Sequence, residues 1–152
     1  MSFVIPTAEA MRDFGVRLAG LLRPGDLLVL SGDLGAGKTT LTQGIGDGLK
    51  VRGPITSPTF VIARVHPSLC GGPPLVHADA YRLGGFAELD DLDLDASVEE
   101  SVTVVEWGEG LAEGLADARL EIHISRADLE SDERLVHLRG SGDRWADMGG
   151  FR

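Results

Sequence analysis

A glycine-rich loop near the N-terminus constrains this chain more than any other feature. Residues 32–39 read GDLGAGKT, which fits the pattern G-x-x-x-x-G-K-[ST]. The glycines let consecutive backbone N–H groups turn inward and form an anion-binding concavity. Lys38 brings a positive charge to the β- and γ-phosphates, and the Thr39 hydroxyl is placed to ligate Mg²⁺. The loop therefore predicts binding of a nucleoside triphosphate.

The residues around the loop support this interpretation. A short apolar run over residues 26–31 is typical of a buried strand, and Leu41, Ile45 and Leu49 recur on one helix face after the loop. Strand, loop and helix follow in the order that a phosphate-binding loop requires. A chance match is disfavoured because the chain has only two lysines and one of them occupies the required position.

The remaining pattern predicts an α/β fold. Thr7 is expected to be the N-cap of a helix with Met11, Phe14, Leu18 and Leu21 on one face, and Pro24-Gly25 is expected to end it. Strands are expected over residues 3–5, 26–31, 59–65, 75–79, 102–106, 120–125 and 135–139. We expect a P-loop NTPase-like domain over residues 1–140, with a mixed sheet and flanking helices in three layers, and then a Gly-rich tail over residues 141–152.

Composition limits the possible partners. The single cysteine excludes an internal disulfide and fits a reducing cytoplasm, and no apolar run approaches the length that crosses a bilayer. A net charge of −10 argues against this chain alone gripping a nucleic-acid backbone. Residues 83–118 contain no Lys or Arg. This acidic stretch is either a solvated face or a docking surface for a basic partner.

Two carboxylates follow strand-like runs and are candidates for the second half of the site. Asp79 ends the run 75–79, and Glu106 ends the run 102–106. Ligands of open α/β sheets sit at the carboxyl ends of the strands, where such groups can hold Mg²⁺ or orient an attacking water. Thr59, in Ser57-Pro58-Thr59, belongs either to a loop that senses the γ-phosphate or to an ordinary turn. The absence of asparagine excludes the Asn-Lys-x-Asp guanine motif and favours ATP.

These segments together resemble the TsaE family, the P-loop ATPases of bacterial tRNA threonylcarbamoyladenosine (t6A) synthesis. The resemblance is carried by residues 32–40, by Ser57-Pro58-Thr59-Phe60, by the stretch from His77 to Leu83 and by Val105-Glu106-Trp107. It implies a cytoplasmic protein that acts with TsaB and TsaD, contacts tRNA only through that complex and touches no membrane. It implies weak, partner-dependent hydrolysis of ATP that supports turnover, whereas TsaD transfers the threonylcarbamoyl group.

The resemblance also implies roles for individual residues. Thr39 and Glu106 would hold Mg²⁺, and Asp79 would act near the metal or the attacking water. Trp107 would lie beside the site, and Ala8 and Glu133 would lie near the adenine. The residues that would wrap the phosphates are Gly35, Ala36, Gly37, Lys38, Thr39 and Thr40.

Two other functions remain open at this stage. A small-molecule kinase would need an acceptor pocket and an arginine-rich lid, and the stretch 83–118 offers no arginine for a lid. An interaction module that senses ATP without cleaving it would use the same phosphate loop. Partner turnover that survives replacement of Glu106 by alanine would favour such a module.

Overall fold

The computed structural model describes residues 2–32, 37–51, 63–79, 100–106, 119–126, 133–142 and 145, with the backbone alone at residues 63, 64, 78 and 79. Within these ranges seven strands and two helices are defined. They are β1 (Ser2–Ile5), α1 (Ala8–Ala19), β2 (Leu27–Gly32), α2 (Lys38–Leu49), β3 (Ala63–His66), β4 (Leu75–Asp79), β5 (Val102–Glu106), β6 (Arg119–Arg126) and β7 (Arg134–Ser141).

The described strands form one mixed sheet in the order β1-β7-β6-β2-β5-β4-β3. Strand β2 lies at its centre and runs parallel to β5 and β6, and β4 runs parallel to β5. The pairs β1–β7, β6–β7 and β3–β4 are antiparallel. The predicted α/β fold with a mixed sheet is therefore confirmed. Both described helices pack on one face of the sheet, so the prediction of a third layer falls on residues outside the described ranges.

Helix α1 forms where the pattern predicts it. The Thr7 hydroxyl accepts a hydrogen bond from the Ala10 amide at 3.0 Å, so Thr7 is the N-cap. Met11, Phe14 and Leu18 are buried against the sheet and α2. The helix ends at Ala19, so the predicted end at Pro24-Gly25 is wrong. Leu21, expected on the buried face of the helix, lies beyond its end and is 39% exposed. The chain leaves the helix through turns in which the amides of residues 21 and 22 donate to the carbonyls of residues 18 and 19.

Glycines bring α1 and α2 into close contact. A Cβ on Gly15 would lie 2.5 Å from the Leu41 carbonyl oxygen, and one on Gly48 would lie 2.5 Å from the Ala19 Cβ. Neither position has room for a side chain, because in each case the neighbouring helix occupies that space. The start of α2 is therefore positioned by backbone-to-backbone packing on α1.

The core lies between these helices and the sheet. Leu28 and Leu30 of β2 face the helices, as do apolar side chains of the other strands. Strand β7 continues to Ser141, and Trp145 beyond it is buried in the same core. Part of the segment expected to be a Gly-rich tail therefore contributes to the hydrophobic core. None of the helices in the described ranges is long and apolar enough to cross a membrane.

Candidate nucleotide-binding site

The phosphate loop lies between the central strand and α2. Strand β2 is buried as far as Leu30 and ends at Gly32. Gly37 adopts a left-handed conformation with φ of 113°, which only glycine enters without strain, and α2 begins at the next residue. Among the described residues no side chain caps α2, and its first turn has no acidic residue. The N–H groups and positive dipole end of α2 are therefore available to an anion.

Lys38 is buried at the first position of α2, with 6% of its surface exposed. Its Nζ donates a hydrogen bond to the Gly32 carbonyl oxygen at 2.8 Å, so the ammonium lies back across the end of β2. Thr42 reinforces this turn, because its hydroxyl donates to the Lys38 carbonyl oxygen at 2.8 Å. The positive charge thus lies between the end of β2 and the start of α2. Thr39 and Thr40 follow in the first turn and are half-buried.

Glu106 lies at the end of β5, the strand next to β2 in the sheet. It pairs in register with Leu30 of β2 and with Asp79 of β4, so all three strands end at one sheet edge. Only 4% of Glu106 is exposed, and its Oε2 lies 3.4 Å from Nε2 of His77. Only the backbone of Asp79 is described. The two predicted carboxylate positions are therefore direct neighbours at the edge where the phosphate loop begins.

The two positions expected near the adenine also lie at this edge. Ile5 of β1 pairs with Arg134 of β7, so Ala8 begins α1 close to the point where Glu133 precedes β7. Arg134 in turn pairs with Arg126 at the end of β6, and β6 runs parallel to β2. Both predicted positions therefore lie on the side of the phosphate loop opposite Glu106, and both are exposed.

The cross-strand pairing of two arginines at this edge was not predicted from the sequence. Arg126 and Arg134 are separated by seven residues in sequence, and only the β6–β7 register makes them direct cross-strand partners. Two like charges in such positions repel each other. Both arginines lie at the same edge of the sheet as Lys38.

Four predicted site residues lie outside the described residues: Gly35, Ala36, Thr59 and Trp107. The acidic stretch 83–118 is described only over residues 100–106. The described site thus consists of the end of β2, the start of α2, the ends of β4 and β5, and the α1 and β7 starts.

A cavity of about 160 Å³ lies on the sheet face opposite the helices. Ser31 and His123 contact each other there, with Oγ and Nδ1 separated by 2.9 Å. Its lining residues are Val29, Ser31, Glu121, His123, His137 and Arg139. Because Lys38 and the start of α2 are not among them, this cavity is not the phosphate site.

Comparison with known proteins agrees with this geometry. A family model described as threonylcarbamoyl adenosine biosynthesis protein TsaE matches residues 5–136. The chain belongs to the TsaE family. A relative from Streptomyces coelicolor, named tRNA threonylcarbamoyladenosine biosynthesis protein TsaE, is 64% identical, and the match covers 90% of this chain and 94% of the relative.

Relatives with lower sequence identity support the same family assignment. A Bacillus subtilis protein with the same printed name is 41% identical, over 84% of this chain and 77% of its own length. The crystal structure of YdiB from Bacillus subtilis has a TM-score of 0.75 and 32% identity, covering 95% of this chain and 88% of that one. The predicted family is therefore confirmed, and the P-loop NTPase-like fold is shared with a solved structure.

Proposed function

We propose that this protein binds ATP with Mg²⁺ and hydrolyses it weakly, in support of threonylcarbamoyladenosine modification of tRNA next to the anticodon. The observation that carries the proposal is the position of Lys38. Its buried ammonium lies 2.8 Å from the end of β2, at the uncapped N-terminus of α2, in a member of the TsaE family. A buried ammonium costs more in desolvation than an apolar side chain would, and a bound phosphate would offset that cost.

The phosphates would be bound at the N-terminus of α2. When a triphosphate arrives, its oxygens would replace the Gly32 carbonyl as acceptors for Lys38 Nζ, and the backbone N–H groups from Gly35 to Thr40 would donate to the same group. The adenine would extend towards Ala8 and Glu133, which lie beyond the β6 and β7 ends at the same edge.

The residues present fit a magnesium ion. Mg²⁺ prefers oxygen ligands, and the described site has a hydroxyl at Thr39 and a buried carboxylate at Glu106. A carboxylate exposed to solvent by only 4% is unfavourable unless a cation or a hydrogen-bond donor balances it. We propose that Thr39 and Glu106 hold the ion and that Asp79, in register with Glu106, ligates it or orients the attacking water. When bound, Mg²⁺ would neutralise charge that develops on the phosphate oxygens.

The protein's own residues would hold the triphosphate and position the water, which accounts for most of the catalysis of phosphoryl transfer. We further propose that hydrolysis depends on a complex of TsaB and TsaD, in the cytoplasm, and that tRNA is contacted only through that complex. The net charge of −10 supports this last part, because a strongly acidic chain is repelled by the nucleic-acid backbone. Trp107 and Thr59 are proposed to lie beside the nucleotide.

The test is ATP hydrolysis by the purified chain with Mg²⁺, alone and with a purified TsaB–TsaD complex. Lys38→Met and Glu106→Gln are expected to abolish the stimulated rate. Lys50→Met is the matched control for the lysine, because the only other lysine of the chain lies exposed at the opposite end of α2. Glu121→Gln is the control for the carboxylate, since Glu121 is a strand residue on the opposite face.

Three outcomes would contradict the proposal. ATP binding with no stimulation by the complex would point to a different partner. Stimulated t6A formation that survives Glu106→Gln would favour a sensor that binds ATP without cleaving it. Appearance of a phosphorylated small molecule in place of free phosphate would establish a kinase.

A further inference from the structure

His77 lies next to Glu106 and has no role in the function proposed above. The ring is fully buried, with 0% of its surface exposed, on strand β4. Its Nε2 lies 3.4 Å from Glu106 Oε2, and neither ring nitrogen has a hydrogen-bond partner in the described part of the chain. Buried polar atoms are nearly always paired, so an unpaired imidazole against a buried carboxylate requires an explanation.

The strands hold the two side chains together. Strands β4 and β5 are parallel neighbours, with His77 opposite Val104 and Asp79 opposite Glu106. All five residues of β5 are buried, so neither strand can shift without disturbing the core. The closeness of the two groups is therefore a property of the sheet and does not depend on a flexible loop.

In the contact between His77 and Glu106, the imidazole is the hydrogen-bond donor and the carboxylate is the acceptor. An ionised carboxylate only accepts hydrogen bonds, so an imidazole beside it must present N–H, which here is Nε2–H of His77. A donor on Oε2 of Glu106 would restrain rotation of the carboxylate and leave Oε1 for another partner. A separation of 3.4 Å is longer than an N–H···O bond, and such contacts often shorten when the ligand binds.

We propose that His77 is a positioning residue that orients the Glu106 carboxylate towards Mg²⁺ through Nε2–H. The inference rests on the proposed magnesium–nucleotide site and assigns one more residue to it. Residues that hydrogen-bond to metal ligands from behind typically change metal affinity by about 10- to 100-fold when they are replaced. Removal of His77 should therefore weaken the response to Mg²⁺ and leave the phosphate loop, which lies on other elements, intact.

The experiment measures ADP affinity of the full chain by titration calorimetry, in EDTA and over a series of Mg²⁺ concentrations. Three variants separate the effect of the position of the N–H donor from the effect of side-chain size. His77→Leu removes both nitrogens, His77→Gln returns an N–H near the place of Nε2, and His77→Asn returns one near the place of Nδ1. His66→Leu is the matched control, because His66 is also a buried strand histidine but lies on β3, beyond β4 from Glu106.

We expect His77→Leu and His77→Asn to raise the half-saturating Mg²⁺ concentration by about 10- to 100-fold. We expect His77→Gln to restore it, and affinity in EDTA to stay unchanged in all three. If His77→Leu fails to fold, the contrast between the glutamine and asparagine variants still decides the matter. Equal behaviour of those two variants, or a loss of affinity in EDTA that matches the loss in Mg²⁺, would overturn the role of His77.

The same titration separates this inference from the function on which it rests. A wild-type chain whose ADP affinity is indifferent to Mg²⁺ would overturn the magnesium site and the role of His77 together. A wild-type response to Mg²⁺ that every His77 variant retains would overturn the role of His77 alone.

Discussion

Replacement of Gly15 by alanine tests whether the close contact of α1 with α2 positions the phosphate loop. A Cβ at residue 15 would lie 2.5 Å from the Leu41 carbonyl oxygen and 2.8 Å from the Ile45 amide nitrogen. Both are backbone atoms, so neither can rotate away. Ordinary contact begins near 3.4 Å, and α2 would have to retreat by roughly 0.9 Å to reach it.

The change in the free energy of unfolding caused by Gly15→Ala follows from two opposing effects. Forcing an extra methyl group into a packed interface costs about 1–3 kcal/mol, and contacts to rigid backbone belong at the upper end. Alanine is favoured over glycine within a helix by about 1 kcal/mol. We therefore expect a net loss of about 2 kcal/mol in the free energy of unfolding. For a domain of this size that loss lowers the melting temperature by about 4–8 °C.

The assay is thermal denaturation followed by circular dichroism, together with ADP titration. Gly72→Ala is the matched control, because among the described residues a Cβ there would meet only Ser68 Oγ and Cys70 Sγ, at the ordinary distances of 3.6 and 3.7 Å. The Gly15 variant should also bind ADP more weakly, since α2 carries Lys38 at its first position. A Gly15 variant that melts with the wild type, or a Gly72 variant that is equally destabilised, would refute the reasoning.

Three further outcomes are expected. Gly37→Ala forces a side chain into a backbone conformation with φ of 113°, at a cost of about 1–3 kcal/mol. It should lower ADP affinity more than a surface substitution does, and unchanged affinity in calorimetry would contradict this. Thr7→Ala removes the acceptor for the Ala10 amide and should destabilise the protein by about 1 kcal/mol in urea denaturation, whereas Thr7→Ser should not. A hydrogen bond with the Ser68 hydroxyl lowers the pKa of the exposed Cys70 thiol below its usual range. Alkylation of Cys70 should therefore reach half its maximal rate at a lower pH in the wild type than in Ser68→Ala, and equal pH–rate profiles would contradict this.

Much of the fold could be predicted because its determinants are local. The phosphate loop is a contiguous pattern, and the strands that end at Asp79 and Glu106 are short apolar runs followed by a carboxylate. The Thr7 cap and the buried stripe of α1 depend only on residues within one or two turns. The end of α1 was predicted too late, because Pro24 stops a helix but does not require one to continue that far.

The features that could not be predicted from the sequence depend on which strands become neighbours. The order β6-β2-β5-β4 brings Glu106 beside Asp79 and His77, and the β1–β7–β6 registers bring Ala8, Glu133 and the Arg126–Arg134 pair to the same edge. Strand order is set by long-range pairing and core burial, which a residue pattern does not encode locally. The sequence pattern named candidate site residues one by one, whereas the distances between them could come only from the sheet.

Trp145 and His77 illustrate the same division. By composition Trp145 belongs to a Gly-rich tail, yet the structure buries it in the core against Gly140, where its ring removes apolar surface from water. The sequence pattern assigns His77 no role in the site, and only the parallel pairing of β4 with β5 places it 3.4 Å from Glu106. The sequence alone therefore determined the phosphate loop, the strand and helix types and the family, because these depend on short-range chemistry. Only the tertiary structure decided which distant side chains share an environment, because that depends on how the sheet buries its apolar faces.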